Sequence, residues 1–211
     1  MAVKTMSIHQ ALAEVKMYNS KIYKASNEVF VSCARKGTDK LGSYTKEEYS
    51  NLIKGNFDKA TALIENVKRI KAAIVLSNAN TKVTIGGVEY TVAEAIERKN
   101  MINYEINLLT NLQKQYFSAT QKIENENNTL SDKLETYLKS VVNEKDKNNP
   151  EIVKGYEKQF RDANEYEIID PNKIADYINK LDTEITDFNT EVDYKLSESN
   201  TITQITVDLV D

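Results

Sequence analysis

The residues best suited to acid–base or nucleophilic chemistry are sparse in this sequence. His9 is the only histidine and Cys33 the only cysteine, and no second His, Cys or carboxylate cluster lies near His9 at ligand spacing. Cys33 falls on the apolar stripe of the helix predicted around it, which favours a buried and unreactive side chain. We expect His9 to be a surface or helix-capping residue, and neither residue to be catalytic.

Carboxylates are abundant, and the last predicted helix carries a dense group of them. The group comprises Asp182, Glu184, Asp187, Glu191 and Asp193. Paired carboxylates can act as acid and base or bind Ca²⁺, but a calcium loop needs alternating ligands and a glycine, whereas these residues lie on a helix. A solvated acidic face is the better interpretation.

Phosphate binding is not indicated either, because Gly86-Gly87 lacks the further Gly, Lys and Ser/Thr of a phosphate loop. The sequence therefore predicts no catalytic residue, no metal site, no cofactor and no small-molecule substrate. On this ground we expect a protein that is not an enzyme.

Basic residues in the N-terminal region are a modest candidate for binding nucleic acid or a membrane surface. They are Lys16, Lys21, Lys24, Arg35, Lys36 and Lys40, with Tyr18 and Tyr23 among them. An apolar stripe runs between them and the C-terminal region is acidic, which is not typical of a nucleic-acid groove. We expect no nucleic-acid partner. We also expect no membrane partner, except under the membrane-acting alternative given below.

Charge is segregated along the 211 residues, although the formal net charge is only −4. Residues 1–90 carry fourteen Lys/Arg against eight Asp/Glu, whereas residues 151–211 carry six against fifteen. The two regions can pair within a chain or between copies and so steer assembly, or they are solvated faces. The single cysteine excludes an internal disulfide framework, and no stretch reaches the ~20 apolar residues of a membrane span.

Long helices are favoured by the six glycines and two prolines, and three capping boxes mark helix starts. The boxes are Ser7 with Gln10, Thr45 with Glu48, and Thr91 with Glu94. The apolar spacing predicts a first helix ending near Arg35 and a second ending near Leu76. The third continues to Val141, over ~75 Å at ~1.5 Å per residue, unless Asn125 to Ser131 breaks it.

Two further helix starts are predicted at Asn149-Pro150 and Asp170-Pro171, because proline suits the first helical position. The last helix alternates its apolar residues by four and three, the spacing of a coiled coil. We interpret residues 125–170 as an inserted linker and helical segment.

A repeat of nine residues follows two of the helices. Ser77–Ile85 and Ser199–Val207 align without gaps and end in alternating β-branched and Thr residues, a pattern typical of a half-buried strand. The first copy continues through Gly86-Gly87 into Val88-Glu-Tyr90, which predicts a hairpin because glycine tolerates the positive φ of such turns. We predict a small β element formed by residues 77–90 and 199–211.

In this element the C-terminal strand is expected to join the hairpin in a three-stranded sheet. Pairing within the chain is favoured over addition to a neighbouring copy. The predicted fold is mainly α: long amphipathic helices in an elongated bundle or coiled-coil-like arrangement, with the small three-stranded sheet, in one domain covering residues 1–211.

The order of these parts resembles a group of small helical bacterial and phage proteins. The likeness is carried by Ser7–Glu14, Ser77–Thr81, the hairpin, Tyr90–Lys99, Leu181–Ile185 and the segment from Ser199, and it spans most of the chain except about 125–170. One branch of the group is called septicolysin-like, a name that suggests pore formation. The phage branch is similar to structural proteins.

The resemblance implies a structural protein of a bacteriophage virion that acts through protein–protein contacts. It would be a capsid-decorating, head–tail or tail-associated component, synthesised in the bacterial host cytoplasm and located in the virion. Its expected partners are other copies of itself and other virion proteins. The alternative is a septicolysin-like, membrane-acting, pore-forming protein, and no functional residues carry over from either branch.

Overall fold

The computed structural model describes residues 2–210, and about 70% of the chain is helical, which confirms the mainly α fold. The helices are α1 (Ile8–Ala25), α2 (Lys46–Asn80), α3 (Val92–Val141), α4 (Pro150–Asn164) and α5 (Ile174–Ile202). The strands are β1 (Ala2–Ser7), β2 (Lys40–Leu41), β3 (Tyr44–Thr45), β4 (Lys82–Ile85), β5 (Val88–Thr91) and β6 (Gln204–Leu209). They form three antiparallel pairs, β1·β6, β2·β3 and β4·β5.

The capping boxes begin their helices where the sequence predicts. At α1, the Gln10 N–H donates to Ser7 Oγ over 3.2 Å, and the Ser7 N–H donates to Gln10 Oε1 over 2.9 Å. At α3, the Thr91 N–H donates to Glu94 Oε2 over 2.7 Å, and this backbone bond is the main cause of a lowered pKa for Glu94. These contacts span only four residues, so local sequence is enough to place them.

Helix α1 is shorter than predicted, because it ends at Ala25 and not near Arg35. The Ser26 hydroxyl and the Asn27 amide donate to the carbonyls of Ile22 and Tyr23, both over 2.8 Å. Such side chains satisfy the last carbonyls and compete with helix propagation. Helix α3, in contrast, runs unbroken through residues 125–131 to Val141, so the alternative of a break there is not adopted.

The prediction of a three-stranded sheet is wrong. Strand β6 pairs with the N-terminal strand β1 over six residues, from Ser7↔Gln204 to Ala2↔Leu209, while the hairpin β4·β5 remains a separate pair. The physical reason is length and burial. A six-residue partner pairs with all six residues of β6, which the four-residue hairpin strands cannot do, and the apolar face of β6 is buried in the core with α1 and α2.

Contacts group the chain into two compact units. The first contains the residues up to Asn100 and those from Asp187 onward, and the second is Met101–Thr186. The core of the first unit lies between β1·β6, α1 and α2, and comprises Met6, Ile8, Ala11, Val15, Ile70, Ile74, Ile205, Val207 and Leu209. The second unit buries Ile102, Leu109, Leu130, Leu134, Leu181 and Ile185. The single domain stays a prediction.

The nine-residue repeat belongs to a larger internal repeat of the order strand, helix, helix, strand. The first repeat (residues 2–85) contains β1, α1, α2 and β4, and the second repeat (residues 88–209) contains β5, α3, α5 and β6. Both nine-residue segments end a helix in the same way, because Thr81 N–H bonds the Ser77 carbonyl at 2.8 Å and Thr203 N–H bonds the Ser199 carbonyl at 2.9 Å.

Equivalent residues lie 84 positions apart at the first strand and helix, as in Ser7 and Thr91, but 122 apart at the second helix and strand. The second repeat is therefore 38 residues longer. The additional length lies mainly in α3, which has 50 residues against 18 in α1, and also in the connector between α3 and α5; these two parts together include residues 125–170.

Candidate functional site

The two main strand pairs join the repeats to each other. In each pair, the last strand of one repeat lies beside the first strand of the other. The β4·β5 pair is closed by Gly86-Gly87, whose φ angles of 57° and 76° favour glycine, while β6 and β1 come from opposite ends of the chain. The junctions are equivalent in detail, because Val92 N–H donates to Thr81 O at 2.8 Å and Ile8 N–H donates to Thr203 O at 3.0 Å.

A helix side chain is hydrogen-bonded to the backbone of each strand pair. The two side chains occupy equivalent positions but carry opposite charges. On α2, the Arg69 guanidinium donates to the carbonyl of Asp208 over 3.1 Å. On α5, the Glu191 carboxylate accepts from the N–H of Gly86 over 2.8 Å. Arg69 and Glu191 are 122 residues apart, as are Gly86 and Asp208, so the same backbone position is held in both repeats.

Asn66 makes a second contact between α2 and the chain at the C-terminal end of β6. Its side chain is only 4% exposed, its Nδ2 donates to the Val210 carbonyl at 2.9 Å, and its Oδ1 accepts from the Val210 N–H at 2.7 Å. One backbone residue thus satisfies both ends of a buried amide. In the second repeat the equivalent residue is Phe188, which packs edge-on against Tyr90 with ring centroids 5.8 Å apart.

The first helix of each repeat also carries a charge of opposite sign at one equivalent position. Arg98 donates to the Tyr90 hydroxyl and lies 4.6 Å from the centre of the Phe188 ring. Its counterpart, Glu14, contacts Lys4 through Oε1, and its buried Oε2 has no hydrogen-bond partner among residues 2–210. The charges around the two junctions are thus exchanged and not simply duplicated.

The residues that the sequence singled out for chemistry are dispersed. His9 is exposed in the first turn of α1, as expected of a surface residue. The prediction of a buried Cys33 is wrong: this residue is exposed, because α1 ends before the apolar stripe can reach it. The basic residues Lys16, Lys21 and Lys24 are exposed on α1, and Arg35, Lys36 and Lys40 are exposed in the connector that follows.

The carboxylates of α5 do not converge on one point. Glu191 binds the Gly86 N–H, Asp193 pairs with Lys99, and Glu184 lies 3.7 Å from Lys180. Across residues 2–210, no group of three or more His, Cys, Asp or Glu side chains is arranged to hold a metal ion. The helices described between these limits also include none that is long and apolar enough to cross a membrane.

The chain matches no known protein family, no curated protein and no solved structure. Functional interpretation therefore depends on the surfaces of the molecule itself. The strand β1, which completes one junction, was missed by sequence reasoning. A signal for it is present, since Ser7-Ile-His-Gln-Ala-Leu12 aligns with Thr91-Val-Ala-Glu-Ala-Ile96, and a strand precedes each.

Large apolar side chains remain exposed on one face of α3 in the second unit. Met101, Tyr104 and Leu108 are 55%, 73% and 46% exposed, and their spacing of three and four places them on a common stripe. Contiguous apolar surface of this kind is typical of contacts with another protein. It is the clearest unpartnered helix face among the residues described.

Proposed function

We propose that this chain is a non-enzymatic structural protein of a bacteriophage virion, which acts through protein–protein contacts as a capsid-decorating, head–tail or tail-associated component. The exposed stripe of Met101, Tyr104 and Leu108 is the observation that carries the contact role, because water-facing apolar residues at helical spacing are stabilised when another protein covers them. The virion assignment is supported by the resemblance of the sequence to phage structural proteins.

The repeated architecture is consistent with a frame that holds other proteins in position. The first strand of each repeat pairs with the last strand of the other, and a helix side chain bonds the backbone at each junction. A frame of this kind resists bending at its junctions because the strand ladders and the helix contacts must break together. Rigidity at the junction suits a component whose role is to set distances between neighbours.

Charge divides along the same repeats and supplies a basis for choosing partners. The first repeat (residues 2–85) contains fourteen Lys/Arg and seven Asp/Glu, whereas the second repeat (residues 88–209) contains fourteen and twenty-four. Opposite charge on two surfaces guides encounter and register more than it adds affinity. Partners of this chain are accordingly proposed to be further copies and other virion proteins.

The test is mass spectrometry of purified particles from the phage that encodes this sequence. The chain is expected in the particles at an abundance comparable to other minor or major virion proteins, after a high-salt wash that removes adsorbed proteins. An abundant host cytoplasmic protein, followed through the same purification, controls for carry-over. Absence of the chain from washed particles, while capsid and tail proteins are detected, would overturn the assignment.

A further inference from the structure

The connector between α1 and α2 contains an extended segment that pairs with none of the strands that the structure describes. Residues 29–35, Val-Phe-Val-Ser-Cys-Ala-Arg, contain no turn, bend or paired strand, and Val31 is 87% exposed. The segment is anchored to α2 at its N-terminal end, where Asn56 Nδ2 donates to the Val29 carbonyl over 3.2 Å and the Phe30 ring packs edge-on against Phe57. The backbone groups of residues 30–34 have no hydrogen-bond partner within the described chain.

A second segment of the same kind lies between α4 and α5. Residues 165–170, Glu-Tyr-Glu-Ile-Ile-Asp, also contain no turn or bend, and Ile169 is 90% exposed. Asn127 anchors it, donating to the Tyr166 carbonyl and accepting from the Tyr166 N–H, both over 2.9 Å. The backbone groups of residues 167–169 have no partner in the part of the chain that the structure describes.

Both segments have the properties of unpaired edge strands. Each is rich in β-branched or aromatic residues, is exposed, and presents unpaired N–H and C=O groups, which act as a template for another strand. Each is also about six residues long, so a pairing would match in length, at ~20 Å for a rise of ~3.3 Å per residue.

The charges of the segments determine which pairing is favoured. The first segment ends at Arg35, is followed by Lys36 and contains no acidic residue. The second contains three acidic residues, Glu165, Glu167 and Asp170, and no basic one. Like charges placed across two strands are destabilising and opposite charges are stabilising. Two copies of the acidic second segment therefore repel each other, whereas the basic end of the first segment attracts the second.

We propose that copies of this chain join by strand addition, with residues 29–35 of one copy pairing with residues 165–170 of the next. The inference rests on the proposed function through protein contacts, and it names the contact. Because the two surfaces differ, the contact is heterologous, and each joined copy retains one free segment. Association then continues into a ring or a filament and does not stop at a symmetric dimer.

Cys33 provides a natural reporter inside the first segment. Two full-length proteins are mixed, each with one cysteine: the wild-type chain, and a tagged variant with Cys33→Ser and Ile168→Cys. After mild oxidation, a non-reducing gel separates the mixed disulfide dimer from the two homodimers by size. In an equimolar mixture, the mixed dimer is expected to exceed each homodimer by more than random pairing alone would give. A Cys33→Ser, Ser118→Cys variant, whose cysteine lies on an exposed position of α3, controls for random collision.

Charge reversal tests the same pairing without cross-linking. Arg35→Glu with Lys36→Glu is expected to weaken self-association measured by sedimentation by about tenfold or more, because attraction across the strands becomes repulsion. Adding Glu165→Lys and Glu167→Lys to the same chain is expected to restore it. Val31→Pro, which removes one backbone donor, is expected to weaken association while the melting temperature is unchanged, since Val31 is exposed.

The outcomes separate this inference from the proposed function. Mixed disulfides no more frequent than in the Ser118→Cys control, a predominance of Cys33–Cys33 dimers, or association that charge reversal leaves unaltered would each overturn the head-to-tail pairing. None of these results bears on whether the chain is present in purified particles. The virion assignment is tested separately, by mass spectrometry of those particles.

Discussion

Asn66 offers the sharpest test of how the chain holds its C-terminal strand. Replacement by alanine, Asn66→Ala, removes two hydrogen bonds, at 2.9 and 2.7 Å, between a side chain that is 4% exposed and the backbone of Val210. The Val210 N–H and carbonyl lose their partners at the same time. The strand β6 itself remains paired with β1, so the effect is local to this contact.

The magnitude follows from the terms involved. Each hydrogen bond contributes about 0.5–1.5 kcal/mol net, so losing both costs about 1–3 kcal/mol. Alanine is a better helix former than asparagine, which returns roughly 0.5 kcal/mol at this position of α2. Val210 is partly exposed, so water can replace part of the lost bonding. We expect Asn66→Ala to lower the free energy of unfolding by about 1–2 kcal/mol.

Urea denaturation followed by circular dichroism measures this change. The matched control is Asn51→Ala, an exposed asparagine of the same helix, which should be neutral or slightly stabilising. Deleting Val210 and Asp211 should cost little further stability in the Asn66→Ala protein, because the contact is already lost. Equal stabilities for the two asparagine variants would refute the reasoning.

Four further outcomes are expected. Gly86→Ala should destabilise the fold by about 1–2 kcal/mol in thermal denaturation, because the φ of Gly86 is 57° and an added Cβ would lie 3.0 Å from the Cβ of Asp187. The control, Gly55→Ala, has open space around a helical position and should stabilise the fold by about 1 kcal/mol. The hydrogen bond from the Thr45 backbone N–H is the main cause of the lowered pKa of Glu48 in the folded chain, so the Glu48 carboxylate stabilises the fold above the ordinary carboxyl pKa and this stabilisation is lost as the pH falls through the folded pKa. The stability difference between the wild type and Glu48→Gln should therefore shrink between neutral pH and about pH 3. A constant difference would contradict this. Cys33 should react with a thiol reagent in the native protein, not only after unfolding. Arg69→Glu should destabilise by about 2 kcal/mol and more than Arg69→Gln, because a carboxylate would face the Asp208 carbonyl.

Helix starts could be predicted because their chemistry is local. A Ser or Thr hydroxyl and a Glu or Gln side chain three residues later complete the same contacts in any surroundings, as at Ser7 and Thr91. Helix ends depend on weaker competition. At α1 the apolar spacing continued past Ala25, but Ser26 and Asn27 bonded the last carbonyls and the β-branched residues that follow favour an extended chain.

The partner of β6 could not be fixed by pattern alone. Its alternation predicts a half-buried strand, and that is what the structure contains. Any exposed strand edge could satisfy its backbone, however, and the choice between the hairpin and residues 2–7 depends on contacts 201 residues apart, such as Thr5 with Thr206. The same limit applies to the two extended segments, whose exposure is a property of the folded connectors.

Because the two repeats are similar, each helix could in principle pack on either strand pair. The opposite charges of Arg69 and Glu191 distinguish the two arrangements. With α2 placed over the hairpin, Arg69 would face the Gly86 N–H, a donor against a donor. With α5 placed over β1·β6, Glu191 would face the Asp208 carbonyl, an acceptor against an acceptor. Each wrong arrangement would lose a hydrogen bond and add repulsion, whereas each correct one gains a charged bond. The opposite charges of Arg69 and Glu191 therefore favour α2 on the β1·β6 pair and α5 on the hairpin.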